Sequence, residues 1–581
     1  MTKLMLGNEA IARGIYEAGC RLVFSYPGTP STEITEAAAG YDEIYAEWAP
    51  NEKVALEAAI GASIAGARAF CSMKHVGLNV AADPLFTAVY TGVNGGLVIA
   101  VADDPGMHSS QNEQDTRTVA LAAKIPVLEA SDSEECKFLT VKAFEISEEF
   151  DLPVIIRVTT RVAHTRSPVT INQPLQPRVF DYTKDAAKYV MVPANAKNRR
   201  ISLETRLANI KEYSENSGLN YIEQGSDIGF IASGITRLYV KELHASEQSA
   251  ILHLRMVNPL PQEMIKAFAK EYDRIVVAEE LDPVIEAQCK ALGLKVDGKN
   301  LFPTYGEYSR RSISMQLGAD VVERRDYPDE IPSRPPVLCS GCPHRGVFYT
   351  LRKLKLFVSG DIGCYTLGAS YPLSAMDSCI CMGASVSALH GVLKARPDWS
   401  DKAVAVIGDS TFIHSGITGL IDIVYNSSNA TVIILDNRTT GMTGHQNNPA
   451  SGYNAKNELA PAVDLEVLCH ACGVERVTVI DPYDLDQTES IILQELEQPR
   501  PSVIIARRPC VLLPGARADS AGKVFTVNHT DCIGCGLCLS SGCPSIYADD
   551  TNHAQIDQHS CTGCGLCKQI CTVGAIKEST L

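Results

Sequence analysis

AVAVIGDS, residues 403–410, and ATVIILDN, residues 430–437, decide how this chain folds. Each is a short apolar run, rich in β-branched residues, that stops at a polar turn, as a strand buried on both faces does. TFIHSGITGLIDIVYNSS (411–428), between them, reads as helix. A strand–helix–strand unit makes the two strands parallel neighbours and brings their carboxyl ends to one edge of the sheet, where α/β proteins bind ligands. Asp409 and Asn437 then face one another across a small gap. Two oxygen donors and a backbone carbonyl suit Mg²⁺, which takes diphosphate oxygens as its remaining ligands. Gly408 permits the tight turn, and the helix start beyond it favours an anion.

The same alternation runs through the rest of the chain. CRLVFSY (20–26), GGLVIAVAD (95–103) and DLPVIIRV (151–158) read as strands ending at turn or polar residues. EKVALEAAIGASIAGARA (52–69) is a helix of small residues, expected to be deeply buried. Residues 1–172 thus form an open, mainly parallel α/β domain. Residues 173–220 are polar, contain proline and then turn helical, as a surface-wrapping linker would. DIGFIASG (227–234) and RIVVAEE (274–280) supply strands for a second α/β unit over 221–330. Prolines 328, 332, 335 and 336 mark the clearest break. The unit around 403–437, closed by the strand RPSVIIARRP (500–509), spans 335–515, and a cysteine-rich tail occupies 522–581.

A chain of 581 residues buries enough core to need no disulfides, so its twenty cysteines ask for another explanation. MTKLMLGNEA lacks the apolar region of a secretory signal, and runs such as ATVIIL are far short of a membrane span. A cytoplasmic protein with reduced thiols is expected, in which clustered cysteines are metal ligands. A net charge of −16 argues weakly against a nucleic-acid partner, and no membrane partner is expected. The tail reads Cys532-x2-Cys535-x2-Cys538-x4-Cys543-Pro and then Cys561-x2-Cys564-x2-Cys567-x3-Cys571. In two-cluster ferredoxins the fourth thiolate of each run ligates the other cluster. That crossover assigns Cys532, Cys535, Cys538 and Cys571 to one [4Fe–4S] cluster, and Cys543, Cys561, Cys564 and Cys567 to the second. Glycines 534, 536, 563 and 565 let backbone N–H groups approach the sulfides. The alternative, two zinc sites, fits triplets less well than pairs. The four-residue gap before Cys543 and the Cys571-Thr572 ending depart from the usual pattern.

GDS and DN resemble the thiamine diphosphate motif, GDG followed at a distance by NN. The third Gly is Ser here and the pair is Asp-Asn. The resemblance implies Gly408, Asp409, Ser410, Asn437 and Thr439 at the cofactor, with Asp409, Asn437 and Thr439 on Mg²⁺. SYPGTPSTEI (25–34) looks like the YPITPSS segment of the 2-oxoacid:ferredoxin oxidoreductases, which places Thr29 against the 2-oxoacid carbonyl. NEKVALEAAIGAS (51–63) resembles the helix bearing that superfamily's thiamine-activating glutamate, a role that falls on Glu52, with Glu57 as the competing candidate. KHVGLNVAADPL (74–85), ADDPGMHSSQNEQD (102–115), CSGCPHRGVFY (339–349), GDIGCYTLG (360–368) and MGASVSALHG (382–391) make the closer match the alpha-subunit family of the indolepyruvate ferredoxin oxidoreductases. By resemblance, 1–172 is then a pyrimidine-binding domain, 221–330 a transketolase C-terminal-like unit, 335–515 the diphosphate-binding domain and 522–581 a small α+β two-cluster ferredoxin domain.

In related pyruvate enzymes a proximal cluster uses a C-x-x-C pair, a Gly-Cys turn and a later Pro-Cys. Cys339, Cys342, Cys364 and Cys510 occur in that order, and buried free thiols or a redox pair are the alternatives. His75 and His108 follow strands of the first domain and could touch substrate or be structural. His344 and Arg345 could bind a diphosphate or another acidic group. Cys379 and Cys381 look like buried strand thiols.

The resemblance implies coenzyme-A-dependent oxidative decarboxylation of an aryl pyruvate, with electrons passing through the tail to an external ferredoxin. It also implies a smaller beta subunit, in an α2β2 assembly. The other readings are a different 2-oxoacid oxidoreductase, a non-oxidative thiamine-dependent decarboxylase, and an electron-transfer subunit with a vestigial thiamine site.

Overall fold

The computed structural model describes residues 1–244, 249–318, 330–516 and 522–580. Pro328, the first proline of the expected break, and residues 517–521, at the end of the segment leading into the tail, lie outside the described residues. The chain divides into two units, Met1–Tyr327 and Pro328–Leu581.

The first unit is built on a seven-stranded sheet. From one edge its strands run Met256–Asn258, Val127–Glu129, Val154–Thr159, Leu97–Asp103, Ala69–Lys74, Leu22–Ser25 and Tyr45–Trp48. All are parallel except Met256–Asn258, which pairs antiparallel with Val127–Glu129. The three central strands Ala69–Lys74, Leu97–Asp103 and Val154–Thr159 are buried at every position, as strands covered on both faces are. A second sheet of four strands follows the order Ile275–Ala278, Gly229–Ser233, Ala250–Leu254 and an antiparallel edge, Tyr221–Glu223. The edge strand Met256–Asn258 therefore leaves the second sheet's neighbourhood in sequence to extend the first. The polar segment 173–220 contains the helix Pro193–Asn216, whose Leu203 and Ile210 are fully buried in the same core as the seven-stranded sheet. The helix Glu52–Ile64 is not buried all round. Ala55, Leu56 and Ala59 pack inward, while Lys53 and Glu57 form an ion pair on the outer face. Small residues spread around a helix define no single apolar side, so composition overstated its burial.

The second unit carries a six-stranded, all-parallel sheet in the order Ser378–Cys379, Phe357–Gly360, Ala403–Gly408, Thr431–Asp436, Ser502–Arg507 and Arg476–Ile480. Separate hydrophobic clusters cover its two faces. The tail folds as two antiparallel strand pairs, Lys523–Val527 with Ile576–Thr580 and the hairpin Ile546–Ala548 with Ala554–Ile556. It packs on the sheet domain through Leu485, Leu566 and Ile570 and through the hydrogen bond from Leu485 N to Gln569 Oε1 (3.0 Å). Among the described residues no helix is long and apolar enough to cross a membrane.

Candidate active site

In the second unit Gly408 pairs with Leu435, so the strands Ala403–Gly408 and Thr431–Asp436 end together. Gly408 has no room for a side chain: a Cβ there would lie 2.6 Å from the Tyr365 ring. Asp409 opens the short helix Asp409–Thr411, which runs through a π-helical turn, Phe412–Gly416, into the helix Ile417–Tyr425. Its Oδ1 accepts from Ser410 N (2.8 Å), while its buried Oδ2 has no hydrogen-bond partner among the described residues. Burial, then the nearby Asp436 charge, pushes the Asp409 carboxyl up to about 7.

The Asn437 side chain reaches back across the gap. Its amide oxygen lies 3.2 Å from Asp409 Oδ1 and 2.9 Å from the Thr439 carbonyl oxygen; turned over, the amide would donate to both. Three oxygens so close repel one another unless a donor or a cation lies among them. The partnerless Asp409 Oδ2, with the Asn437 amide and the Thr439 carbonyl beside it, offers the oxygen donors that Mg²⁺ takes. Ser410 Oγ, beside them, accepts from Thr440 Oγ1 (3.0 Å). His344 is fully buried and its imidazole is pushed down to about 4 by desolvation, so it is neutral. Its Nε2 lies 3.3 Å from Asn437 Nδ2. It supplies no charge for a diphosphate, and Arg345 points elsewhere, donating to backbone carbonyls.

In the first unit Thr29 lies in the turn after the strand Leu22–Ser25, and its carbonyl accepts from Ser109 Oγ (3.0 Å). Glu52 is the first residue of its helix, which Asn51 caps through Val54 N (3.0 Å), and it is 5% exposed. It sits tightly against Gly77, where a Cβ would collide with its carboxylate. Glu57 is exposed. His75 is buried; its Nε2 lies 3.3 Å from the Asn112 carbonyl, and its Nδ1 has no partner among the described residues. His108 is half exposed and reaches Glu307 (3.3 Å), lining an open cavity with Thr160, Arg161 and His164. Sequence reading missed Lys74. This buried last residue of its strand donates from Nζ to Ser109 O (2.6 Å), and burial pushes its ammonium down to about 8. Its place beside His75, at the carboxyl end of a strand, was the available signal.

The tail holds two cavities. One is lined by Cys532, Cys535, Cys538 and Cys571; the other by Cys543, Cys561, Cys564 and Cys567. Each cavity thus draws thiols from both cysteine runs, in the grouping the crossover demands. Among the described residues no three Cys, His, Asp or Glu side chains converge on a single-ion site; the quartets line two separate cavities instead. Cys339, Cys342, Cys364 and Cys510 lie within electrostatic reach of one another. Burial pushes Cys342 up to about 12 and Cys364 up to about 11; Cys364 and Cys339 add to the first shift, Cys510 and Cys339 to the second. Cys379 and Cys381 are exposed, not buried. Only Cys379 is in a strand, the two-residue piece Ser378–Cys379 at the sheet edge, which an apolar run in sequence cannot distinguish from a central strand, and Cys381 lies beyond it.

Three family models match the chain: pyruvate flavodoxin/ferredoxin oxidoreductase, thiamine diphosphate-binding, over residues 13–223; the thiamine pyrophosphate enzyme C-terminal TPP-binding domain over 361–506; and a 4Fe-4S dicluster domain over 525–572. Thiamine diphosphate and [4Fe–4S] clusters are accordingly its cofactors. The indolepyruvate oxidoreductase subunit IorA of Archaeoglobus fulgidus is 40% identical over 99% of this chain and 97% of its own length. IorA of Pyrococcus abyssi is 40% identical over 99% and 96%. The 2-oxoglutarate synthase subunit KorA of A. fulgidus is 25% identical over 48% of this chain and 87% of its own. With full-length identity at this level, the chain belongs to the family of indolepyruvate oxidoreductase IorA subunits.

Proposed function

We propose that this chain is the alpha subunit of an indolepyruvate:ferredoxin oxidoreductase, converting an aryl pyruvate and coenzyme A to an aryl-acetyl-CoA and CO₂ while draining two electrons to ferredoxin. One juxtaposition carries the reading. Cys510 N donates to the Asn437 carbonyl (3.0 Å), so the thiol set of Cys339, Cys342, Cys364 and Cys510 abuts the oxygen cluster of Asp409, Asn437 and Thr439. On its far side, Ser340 and Gly341 of the CSGC turn line the cavity of Cys543, Cys561, Cys564 and Cys567. Electrons leaving a cofactor at Asn437 would find thiolate-lined stations leading into the tail.

Thiamine diphosphate, when bound, supplies the carbon nucleophile and electron sink for decarboxylation, and the clusters accept the electrons singly. The residues of this chain do the rest. Asp409, Asn437 and the Thr439 carbonyl hold Mg²⁺, while the Gly408–Ser410 turn presents backbone N–H groups to the diphosphate. Glu52, held against Gly77, hydrogen-bonds the aminopyrimidine ring and moves its proton. Thr29 positions the 2-oxo group, and the buried His75, with its free Nδ1, bonds the substrate. Cys339, Cys342, Cys364 and Cys510 hold a third cluster. A smaller beta subunit completes an α2β2 enzyme, and coenzyme A captures the acyl group.

The test is anaerobic. The chain, purified with its co-expressed beta subunit, is given indolepyruvate with and without coenzyme A while reduction of ferredoxin or a viologen is followed. Coenzyme-A-dependent reduction, much faster than with pyruvate, is expected. An aldehyde product with no reduced acceptor would replace this reading with a non-oxidative decarboxylase.

A further inference from the structure

Arg345 is 2% exposed, yet no carboxylate pairs with it among the described residues. All three of its hydrogen bonds go to backbone carbonyls. Nη1 donates to Ser541 O (2.7 Å) in the tail, and Nη2 to Leu338 O (2.6 Å) and Cys339 O (2.9 Å) at the CSGC turn. Its Nε is buried and has no partner among the described residues. A buried guanidinium is costly unless a negative charge compensates it. Carbonyl dipoles satisfy its hydrogen bonds but do not neutralise it.

Thiols are the compensating groups at hand. Arg345 lines the cavity of Cys543, Cys561, Cys564 and Cys567. A [4Fe–4S] cluster with four thiolates is anionic when oxidised and gains a further negative charge on reduction. A fixed cation beside it, in a medium that screens poorly, therefore favours the reduced state.

We propose that Arg345 is the shared counter-charge of the two cysteine groups it touches, raising the reduction potential of the tail cluster held by Cys543, Cys561, Cys564 and Cys567. It is a positioning and tuning residue for electron transfer, not a ligand. Spanning both segments, it also fixes the distance the electron crosses. The proposal rests on reading the cysteine quartets as cluster ligands.

Wild type, Arg345→Lys and Arg345→Met are purified anaerobically with the beta subunit, assayed for iron, and titrated electrochemically while the reduced clusters are followed by electron paramagnetic resonance. R345M is expected to lower the midpoint potential of the Cys543/Cys561/Cys564/Cys567 cluster and leave that of the Cys532/Cys535/Cys538/Cys571 cluster in place. R345K, which keeps the charge but loses the fork of donors, is expected to titrate like wild type. Unchanged potentials in R345M at full iron content would reduce Arg345 to a structural staple. Should R345M lose its iron, Arg345→Gln, which keeps amide donors without the charge, decides: a potential at the wild-type value overturns the proposal, and one displaced downward sustains it. Failure of the cluster reading itself looks different, because wild type would then show no cluster signals on reduction.

Discussion

Glu52 and its competing candidate Glu57 lie on one helix; burial separates them. Glu52 is sealed beneath Gly77, whereas Glu57 is in solvent with Lys53. Replacing Glu52 by Gln should cut turnover by about 10²–10⁴, the usual worth of a positioned proton-transfer group, with KM for the 2-oxoacid little changed. Glu57→Gln should leave steady-state rates as they are, and equal losses in the two variants would remove Glu52 from the role. Lys74 is a second residue whose environment the sequence hid, because a polar strand end looks the same whether buried or not. Its pKa is about 8 in the fold against 10.5 in the unfolded chain. Below about 8 both states hold the proton, so the full cost of burying the ammonium, about 3 kcal/mol, is present. Between about 8 and 10.5 the unfolded chain binds the proton that the folded chain has released, so stability rises with pH across that window. Lys74→Met should therefore exceed wild type in thermal midpoint by most at pH 7, the margin shrinking as pH passes 8 towards 10. A margin independent of pH would mean that the ammonium is not penalised.

At the scale of elements, what could be read in advance was what short-range chemistry dictates. Apolar runs stopping at Gly408-Asp409 and at Asp436-Asn437 gave two parallel strand ends, and cysteine spacing gave the groups that line two cavities. What could not be read was tertiary. The helix Pro193–Asn216 is polar over most of its surface and is held by a few buried residues such as Leu203 and Ile210. The strand Met256–Asn258 joins a sheet whose other members end at Thr159. Neither choice is written in local periodicity. The crossover of the cysteine runs makes a sharp prediction at this scale. Cys571 belongs to the second run but lines the cavity of the first, whereas Cys567 lines that of its own. Cys571→Ser should disturb the paramagnetic signal of the Cys532/Cys535/Cys538 cluster, and Cys567→Ser that of the other. The same signal lost in both variants would mean that the runs do not cross.

Across the first unit, buried charge does the joining. Arg117, 1% exposed, pairs with Asp115 (2.6 Å) and with Glu279 (2.8 Å), which follows the strand Ile275–Ala278 of the second sheet. Arg157 pairs with Asp103 (2.6 Å) and Glu129 inside the first sheet. Four acids and two guanidiniums out of water gain little net energy over a well-packed apolar set, but losing one partner strands the rest. Arg117→Met leaves Glu279 buried without its cation and Asp115 with only Arg157, 3.8 Å away, and should cost about 3–5 kcal/mol. Lys53→Ala, at the exposed pair with Glu57, should leave the thermal midpoint where it is. The triple variant Arg117→Met, Asp115→Asn, Glu279→Gln separates two explanations. If the loss in R117M comes from stranded charge, neutralising both acids should recover a large part of the midpoint. If it comes from missing hydrogen bonds, such as those from Arg117 Nη2 to the carbonyls of Glu280 and Asp282, the triple variant should melt no higher than the single one. Calorimetry of the three proteins decides between them, and recovery would mean that charge balance holds the two sheets together.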